Sequence, residues 1–347
     1  MWKIGNQQIQ IGVGFIPNMP LPELRELVRR MDAAGYDQIW CGNEKLYRDM
    51  WVTMGLVAAQ TERLQIGTFI ADPYSYHPAL IAAAIATVAE ANCGQAILVL
   101  GAGGFSFREL GIDRKKPLSA LSESILVIRD LLAGRVSTMQ GQVVTTQEAK
   151  LLFAPLAGIP IWIASRGNKI LEMAGRLADG VMIATYAQPQ SLSFARNIVK
   201  KGCWEAGRHM DEMAVTVRVD FSLDADRERA RAAVKPMIAG MVHASYPDQA
   251  FVEQAGLTIP VKLGTFMGTA TFAEVYAAAH DLLPERFVDA FSWSGTPADV
   301  AGMVASVIEA GFTRICLVPH PPKGRTSLDM ILGFAEQVMP HVKALLG

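Results

Sequence analysis

The chain has 347 residues, 51% hydrophobic and 19% charged, with a formal net charge of −1. Lys and Arg are spread among Asp and Glu, so no basic stripe suits nucleic acid or an anionic membrane, and the apolar content supports a large buried core. The start, MWKIGNQQIQIGVGF, has no signal-peptide pattern, and runs such as HPALIAAAIATVAEA are too short and interrupted to span a bilayer, which leads us to expect a soluble, cytoplasmic protein.

Short apolar runs alternate with longer amphipathic ones. IQIGVGF reads as a strand and PELRELVRRMDAAG as a helix ending at Gly35. QIW and DMWVTMGLVAAQT form the next pair, then LQIGTFI and HPALIAAAIATVAEAN, with Pro78 in the first helical turn. QAILVLGAG and KPLSALSESILVIRDLLAG follow, then a polar, β-like excursion, GQVVTTQEAKLLF. PIWIA with NKILEMAGRLA, GVMIA with SLSFARNIVKKGCWEAG, and the strand MAVTVRVDFSL continue the alternation. From Asp224 to Pro297 the rhythm breaks into a mostly helical, Gly/Pro-punctuated stretch; PADVAGMVASVIEAG, TRICLVP and DMILGFAEQVMPHVKALL then restore it. Eight such units of β-branched strands predict a parallel (β/α)8 barrel, one domain over 1–347 with an insertion over 224–297 after the seventh strand.

Cys41, Cys93, Cys203 and Cys316 are far apart and form no CxxC, and His77, His209, His243, His280, His320 and His341 form no HxxH or HExxH pair. Three of the thiols follow apolar residues or end strand-like runs, which fits small core residues in a reducing compartment, and no metal site is expected.

In a barrel, ligands belong at the carboxyl ends of the strands. The first five ends lead to Ile16-Pro17-Asn18, Cys41-Gly42-Asn43-Glu44-Lys45, Ala71-Asp72-Pro73-Tyr74, Gly101-Ala102-Gly103-Gly104 and Ser165-Arg166-Gly167-Asn168. The last is the most informative. Strand five should end at Ala164, and a helix should begin after the turn, where free N–H groups and the positive end of a helix dipole suit a phosphate. A plain helix cap with a surface Arg166 and Lys169 is the alternative reading.

GVGFIPNMPLPELRELVRRMDAAGYDQIW, RDMWVTMGLVAAQTERLQIGTFIADPYSYHPALIAAAIATVAE, ILVLGAGG and IPIWIASRGNKILEMAGRLADGVMI occur in an order and spacing that resemble a known family. It is the luciferase-like flavin- and deazaflavin-dependent oxidoreductases, with the methylenetetrahydromethanopterin reductase branch the nearest match. The resemblance covers nearly the whole chain and is more specific for family than for substrate. It implies a cofactor phosphate at Ser165, Arg166, Gly167 and Asn168, and backbone approach to the ring or ribityl chain at Ala102, Gly103 and Gly104. It also implies a non-prolyl cis peptide at Phe69-Ile70, where a bulge running into Ala71 backs the ring. Asn43-Glu44 stands where many deazaflavin-dependent relatives have Asp-His. Glu44 is the candidate proton donor, against an ion pair with Lys45 or Arg48. His77 matches the start of the family's third helix and is the second catalytic candidate, against a packed, hydrogen-bonded imidazole. Ala89 and Gln95 replace an acidic residue and an Arg usual in the family, which points to a lost structural pair.

The resemblance implies hydride transfer between coenzyme F420, the 5-deazaflavin, and a small organic substrate. An FMN-dependent monooxygenase, with a separate reductase supplying reduced cofactor, and a flavin-binding protein without turnover are the alternatives. Met237, Met241, Tyr246 and Phe266 of the insertion are expected either to line the substrate pocket or to be core. A homodimer pairing through the second and third helices is expected.

Overall fold

The computed structural model describes residues 2–104 and 106–347. Eight parallel strands are spaced along the chain as the alternation predicts: Gln7–Phe15, Gln38–Gly42, Gln65–Phe69, Ala96–Leu100, Ile161–Ser165, Gly180–Ala184, Ala214–Leu223 and Arg314–Pro319. In sheet order the first strand is followed by the eighth, seventh, sixth, fifth, fourth, third and second, and the second pairs back onto the first. This is a closed (β/α)8 barrel.

By contact density the chain divides into two compact units. The first comprises Gln10–Met182 and Asn197–Thr216. Its helices bury one stripe each: in Leu21–Ala33 the buried residues Leu24, Leu27, Val28 and Met31 recur at helical spacing. The helix Pro78–Ala91 starts with Pro78 and buries Ile81, Ala82, Ile85, Ala86 and Ala89. Two tryptophans fill the space between strands, Trp40 and Trp162, with ring centroids 5.5 Å apart. Strand glycines make room for Trp40: a Cβ on Gly12 would lie 2.5 Å from its Nε1, and one on Gly67 2.1 Å from its six-membered ring. The polar excursion is an antiparallel ribbon, Ser137–Gln140 with Thr145–Ala149.

The second unit comprises Trp2–Ile9, Ile183–Arg196 and Val217–Gly347. Trp2–Ile4 forms a short antiparallel ribbon with the start of the first strand, which the sequence pattern did not predict. The stretch after the seventh strand is helical as expected, led by Arg227–Ser245. Arg231 pins that helix to Glu285–Phe291 through Glu285 (2.9 Å) and Asp289 (2.7 Å). One correction applies within this stretch. Ser292–Gly295 is a strand, parallel to the end of the seventh with Asp220 opposite Ser292, and four Ser-, Trp- and Gly-type residues are too few to show a period.

Candidate functional site

The third strand carries the irregularity that shapes the site. Gly67 lies opposite Ile97 of the fourth strand, but Ala71 lies opposite Leu100, so one extra residue sits on the third-strand side. That is a β-bulge, and within it the Phe69-Ile70 peptide bond is cis. Thr68 covers the gap in the ladder: its Oγ1 donates to the Val99 carbonyl (2.7 Å) and accepts the Val99 N–H (2.8 Å). Ala71 N–H donates to the same carbonyl, and Gly101 N–H donates to Ala71 O, both at 3.0 Å. The Ile70 side chain rests on Gly101, where a Cβ would approach it to 2.8 Å.

Beyond the bulge, Asp72 organises the loop. Its Oδ1 accepts the N–H groups of Tyr74 (3.0 Å) and Ser75 (2.8 Å). Its Oδ2 accepts from Ser75 Oγ (2.7 Å), Asn43 Nδ2 (3.1 Å) and Lys45 Nζ (2.9 Å). A carboxylate with five donors, fully out of water, is a fixed anchor with no lone pair spare for a substrate proton. Asn43 is thereby held by the third-strand loop, and Lys45 pairs with Asp72. Arg48 turns to the carbonyls of Asn18 (3.1 Å) and Pro17 (3.4 Å).

Lys45 also lies over the Phe107 ring, its Nζ 4.0 Å from the centroid, and the Arg114 guanidinium lies 4.9 Å from the same ring. Tyr74 meets that ring edge-on at 6.1 Å. Gly103 closes the cluster: Arg114 Nη1 donates to its carbonyl (2.7 Å), and its φ is +73°. A Cβ there would lie 2.5 Å from Phe107, whereas one on the neighbouring Gly104 meets nothing within 4 Å. Gly104 therefore presents open backbone beside Ala102. The Lys45–Phe107–Arg114 packing was not legible in the sequence, because it joins residues 62 and 7 positions apart with no motif.

At the fifth strand, the strand runs to Ser165, one residue beyond the expected end. Ser165 Oγ accepts the Gly167 N–H at 3.0 Å, forming the turn. The helix Asn168–Leu177 then begins at Gly167 with no side-chain cap, and Ile170 N–H turns back to the Gly167 carbonyl (3.1 Å). A Cβ on Gly167 would meet only Ser165 Oγ, at 3.8 Å, and Gly167, Asn168 and Lys169 are exposed.

His77 is exposed and hydrogen-bonded through its ring. Its Nδ1 accepts the Ala79 N–H (3.2 Å), capping the third helix, and its Nε2 then donates to the Thr145 carbonyl (3.1 Å). Both ring nitrogens are engaged. Glu44 is half-buried beside Asn43, at the carboxyl end of the second strand. Asp49 and Tyr76 brace the starts of the second and third helices through a 2.5 Å hydrogen bond; burial, then that bond, pushes the Tyr76 phenol above its ordinary value. Among the described residues no cluster of His, Cys, Asp and Glu could hold a metal ion, and no helix is long and apolar enough to cross a membrane.

A family model described as luciferase-like monooxygenase matches residues 3–314. The chain is 29% identical to the 5,10-methylenetetrahydromethanopterin reductase of Archaeoglobus fulgidus, over 96% of this chain and all of that one. It is 30% identical to the enzyme of the same name from Methanolobus tindarius, over 88% of this chain and 92% of the other. Among solved structures, the coenzyme F420 dependent tetrahydromethanopterin reductase from Methanopyrus kandleri superposes with a TM-score of 0.83 at 24% identity, over 97% of this chain and 100% of that one.

Proposed function

We propose a function for a chain that belongs to the luciferase-like monooxygenase family: it is an oxidoreductase that exchanges a hydride between coenzyme F420 and a small organic substrate, in the manner of a methylenetetrahydromethanopterin reductase. The observation that carries this reading is similarity along nearly the full length to reductases of that name, covering 96% of this chain and all of the Archaeoglobus fulgidus enzyme.

The residues present suit the group. An uncapped helix start beside Ser165, Arg166 and Gly167 supplies donors and positive charge for a phosphate. Open backbone at Ala102 and Gly104 admits a flat ring or its ribityl chain, and the bulge of Phe69, Ile70 and Ala71 gives that ring a rigid wall. Asn43, tied to Asp72, presents a fixed amide at the same strand ends. When bound, the deazaflavin supplies the carbon that gives or takes the hydride; the protein binds, orients and excludes water. Glu44, half-buried beside Asn43, is the carboxyl to which this reading gives a part in turnover.

FMN carries the same ribityl phosphate, so the Ser165–Asn168 loop accepts either cofactor, and the reductase relatives favour F420. This reading includes a second copy of the chain pairing at the starts of the second and third helices, where Leu46, Tyr47, Val52 and Leu80 are each exposed. Titrating the protein with F420 and with FMN, following quenching of each cofactor's fluorescence, tests the reading. Tighter binding of F420, and its reduction or oxidation with methylenetetrahydromethanopterin-type substrates, is expected. Binding of FMN alone would overturn it.

A further inference from the structure

The seventh strand alternates strictly. Val217, Val219, Phe221 and Leu223 are buried apolar residues, while Thr216, Arg218, Asp220 and Ser222 share the opposite face. On the neighbouring eighth strand, Val318 lies opposite Asp220 and Pro319 opposite Phe221, and His320 N–H extends the ladder to the Phe221 carbonyl at 2.8 Å. Asp220 and His320 therefore stand at the carboxyl ends of two adjacent strands, the end of a (β/α)8 barrel where chemistry is done.

Three side chains meet there. Arg218 grips Asp220 with both terminal nitrogens, at 2.5 and 2.9 Å. His320 Nε2 lies 2.7 Å from Asp220 Oδ1. Asp220 is 1% exposed, Arg218 14% and His320 13%. Burial alone raises the Asp220 carboxyl, but Arg218 beside it and the hydrogen bond from His320 outweigh burial and hold it below the ordinary range. An ionised Asp220 is an acceptor only, so the Nε2 of His320 carries the hydrogen, and in the neutral ring Nδ1 keeps its lone pair. Nδ1 has no hydrogen-bond partner among the described residues. Arg218 alone would neutralise Asp220, so a purely structural carboxylate has no need of the imidazole. A second observation marks the same face: the Ser222 hydroxyl, two residues on, is buried and unpartnered, with Ser292 and Ser294 hydrogen-bonded to each other (3.1 Å) on the strand alongside.

We propose that His320 is a further proton-exchanging group, besides Glu44, that acts on the substrate heteroatom through Nδ1, and that Asp220, set by Arg218, is its positioning residue. This rests on the hydride-transfer reading above, and it names the substrate class: the reacting carbon bears an oxygen or nitrogen. In the reducing direction the hydride of the reduced deazaflavin forms the new C–H bond. The electron pair of the carbon–heteroatom bond that breaks, a π bond in a carbonyl or imine and a C–N σ bond at a methylene bridge, moves onto the heteroatom, and the imidazolium Nδ1–H supplies its proton. In oxidation the heteroatom proton goes to Nδ1 as the hydride leaves for the cofactor.

The test has two parts on the full chain. In protein labelled with 15N-histidine and free of cofactor, signals lost in His320→Gln identify the ring. The neutral form should carry its hydrogen on Nε2, Nδ1 should gain the second proton as pH falls, and Asp220→Asn should release the fixed tautomer. A ring with its neutral hydrogen on Nδ1, or one that does not titrate, overturns the proposal. With F420 and methylenetetrahydromethanopterin, His320→Gln should bind F420 as the parent does, lower kcat about 10²- to 10³-fold, and remove the histidine limb of the pH–rate profile. Unchanged rate and profile with F420 bound overturns the role of His320 and leaves the cofactor reading standing. Failure of the parent to bind F420 overturns the cofactor reading, and the tautomer result then decides the imidazole.

Discussion

Lys45 and Asp72, from the loops after the second and third strands, pair at 2.9 Å with their side chains only 7% and 0% exposed. Breaking a buried pair leaves the other charge without its counterion, which costs about 3–5 kcal/mol. Lys45→Met should lower stability by that order, read as a shift in the urea midpoint. The double variant Lys45→Met/Asp72→Asn should lose less than the two single losses added together, because the stranded charge is gone. Strict additivity would mean that the two residues act separately.

The same pair shows what a sequence reveals and what it hides. Strand count, strand order and the helical character of the segment after the seventh strand followed from hydrophobic period, and the Ser165–Asn168 turn from its position after PIWIA. Asp72 and Lys45 were legible as strand-end residues, but not as partners, because their meeting depends on how two loops fold back. The Phe69-Ile70 bond and its bulge leave no mark in composition; only resemblance to a family pointed there. Asp220 did have a signal, the alternation TVRVDFS with every second residue polar, and His320 follows directly on the strand TRICLVP. Both lie beyond the fifth strand end and belong to no motif.

Gly103 and Gly104 should separate fold from binding. Alanine at 103 must hold a φ of +73° and place a Cβ 2.5 Å from Phe107. A left-handed non-glycine residue alone costs about 1–3 kcal/mol, so Gly103→Ala should lower the melting temperature markedly. Gly104→Ala meets nothing within 4 Å and should stay within about 0.5 kcal/mol of the parent, while weakening F420 binding. A Gly104→Ala variant with unaltered cofactor affinity would remove that loop from the cofactor site.

Glu123 ties the fourth helix to the turn of the antiparallel ribbon. Its carboxylate accepts the N–H groups of Gln142 (2.8 Å), Val144 (2.9 Å) and Val143 (3.0 Å). Burial pushes its pKa up, but these bonds, with Lys116 nearby, bring it below the ordinary value. A depressed folded-state pKa adds stability above the unfolded value, and that stability fades as pH falls through the folded one. The gap in melting temperature between the parent and Glu123→Gln should be widest near neutrality and close in acid. A gap that persists unchanged into acid would show that the charge is not what the ribbon needs.

His77 and Glu44 should part company. His77→Ala removes a helix cap and the bond to Thr145, a loss of about 0.5–2 kcal/mol in stability, with turnover per folded molecule unchanged. Glu44→Gln should leave F420 affinity nearly as it was and lower turnover by roughly 10²-fold if its carboxyl moves a proton. A full-rate Glu44→Gln enzyme would return that residue to a structural role.

Arg166 tests what the turn after the fifth strand is for. The turn is closed by Ser165 Oγ on the Gly167 N–H, and the helix beyond it starts without a side-chain cap. A helix that only had to begin would profit from Ser, Thr, Asp or Asn at that point, whereas Gly167 offers no side-chain cap and no Cβ to hinder approach. The arrangement makes sense if an anion completes it, and a guanidinium can grip two oxygens of a phosphate at once. Arg166→Ala should therefore weaken F420 binding by about 1.5–3 kcal/mol, the scale of a hydrogen bond to a charged group. Arg166→Lys should recover only part, since a point charge replaces a planar fork. A deazaflavin analogue without the phosphate should bind the parent and Arg166→Ala alike. If both ligands weaken equally, Arg166 shapes the barrel mouth and does not read the phosphate, and the turn is an ordinary strand-to-helix connection.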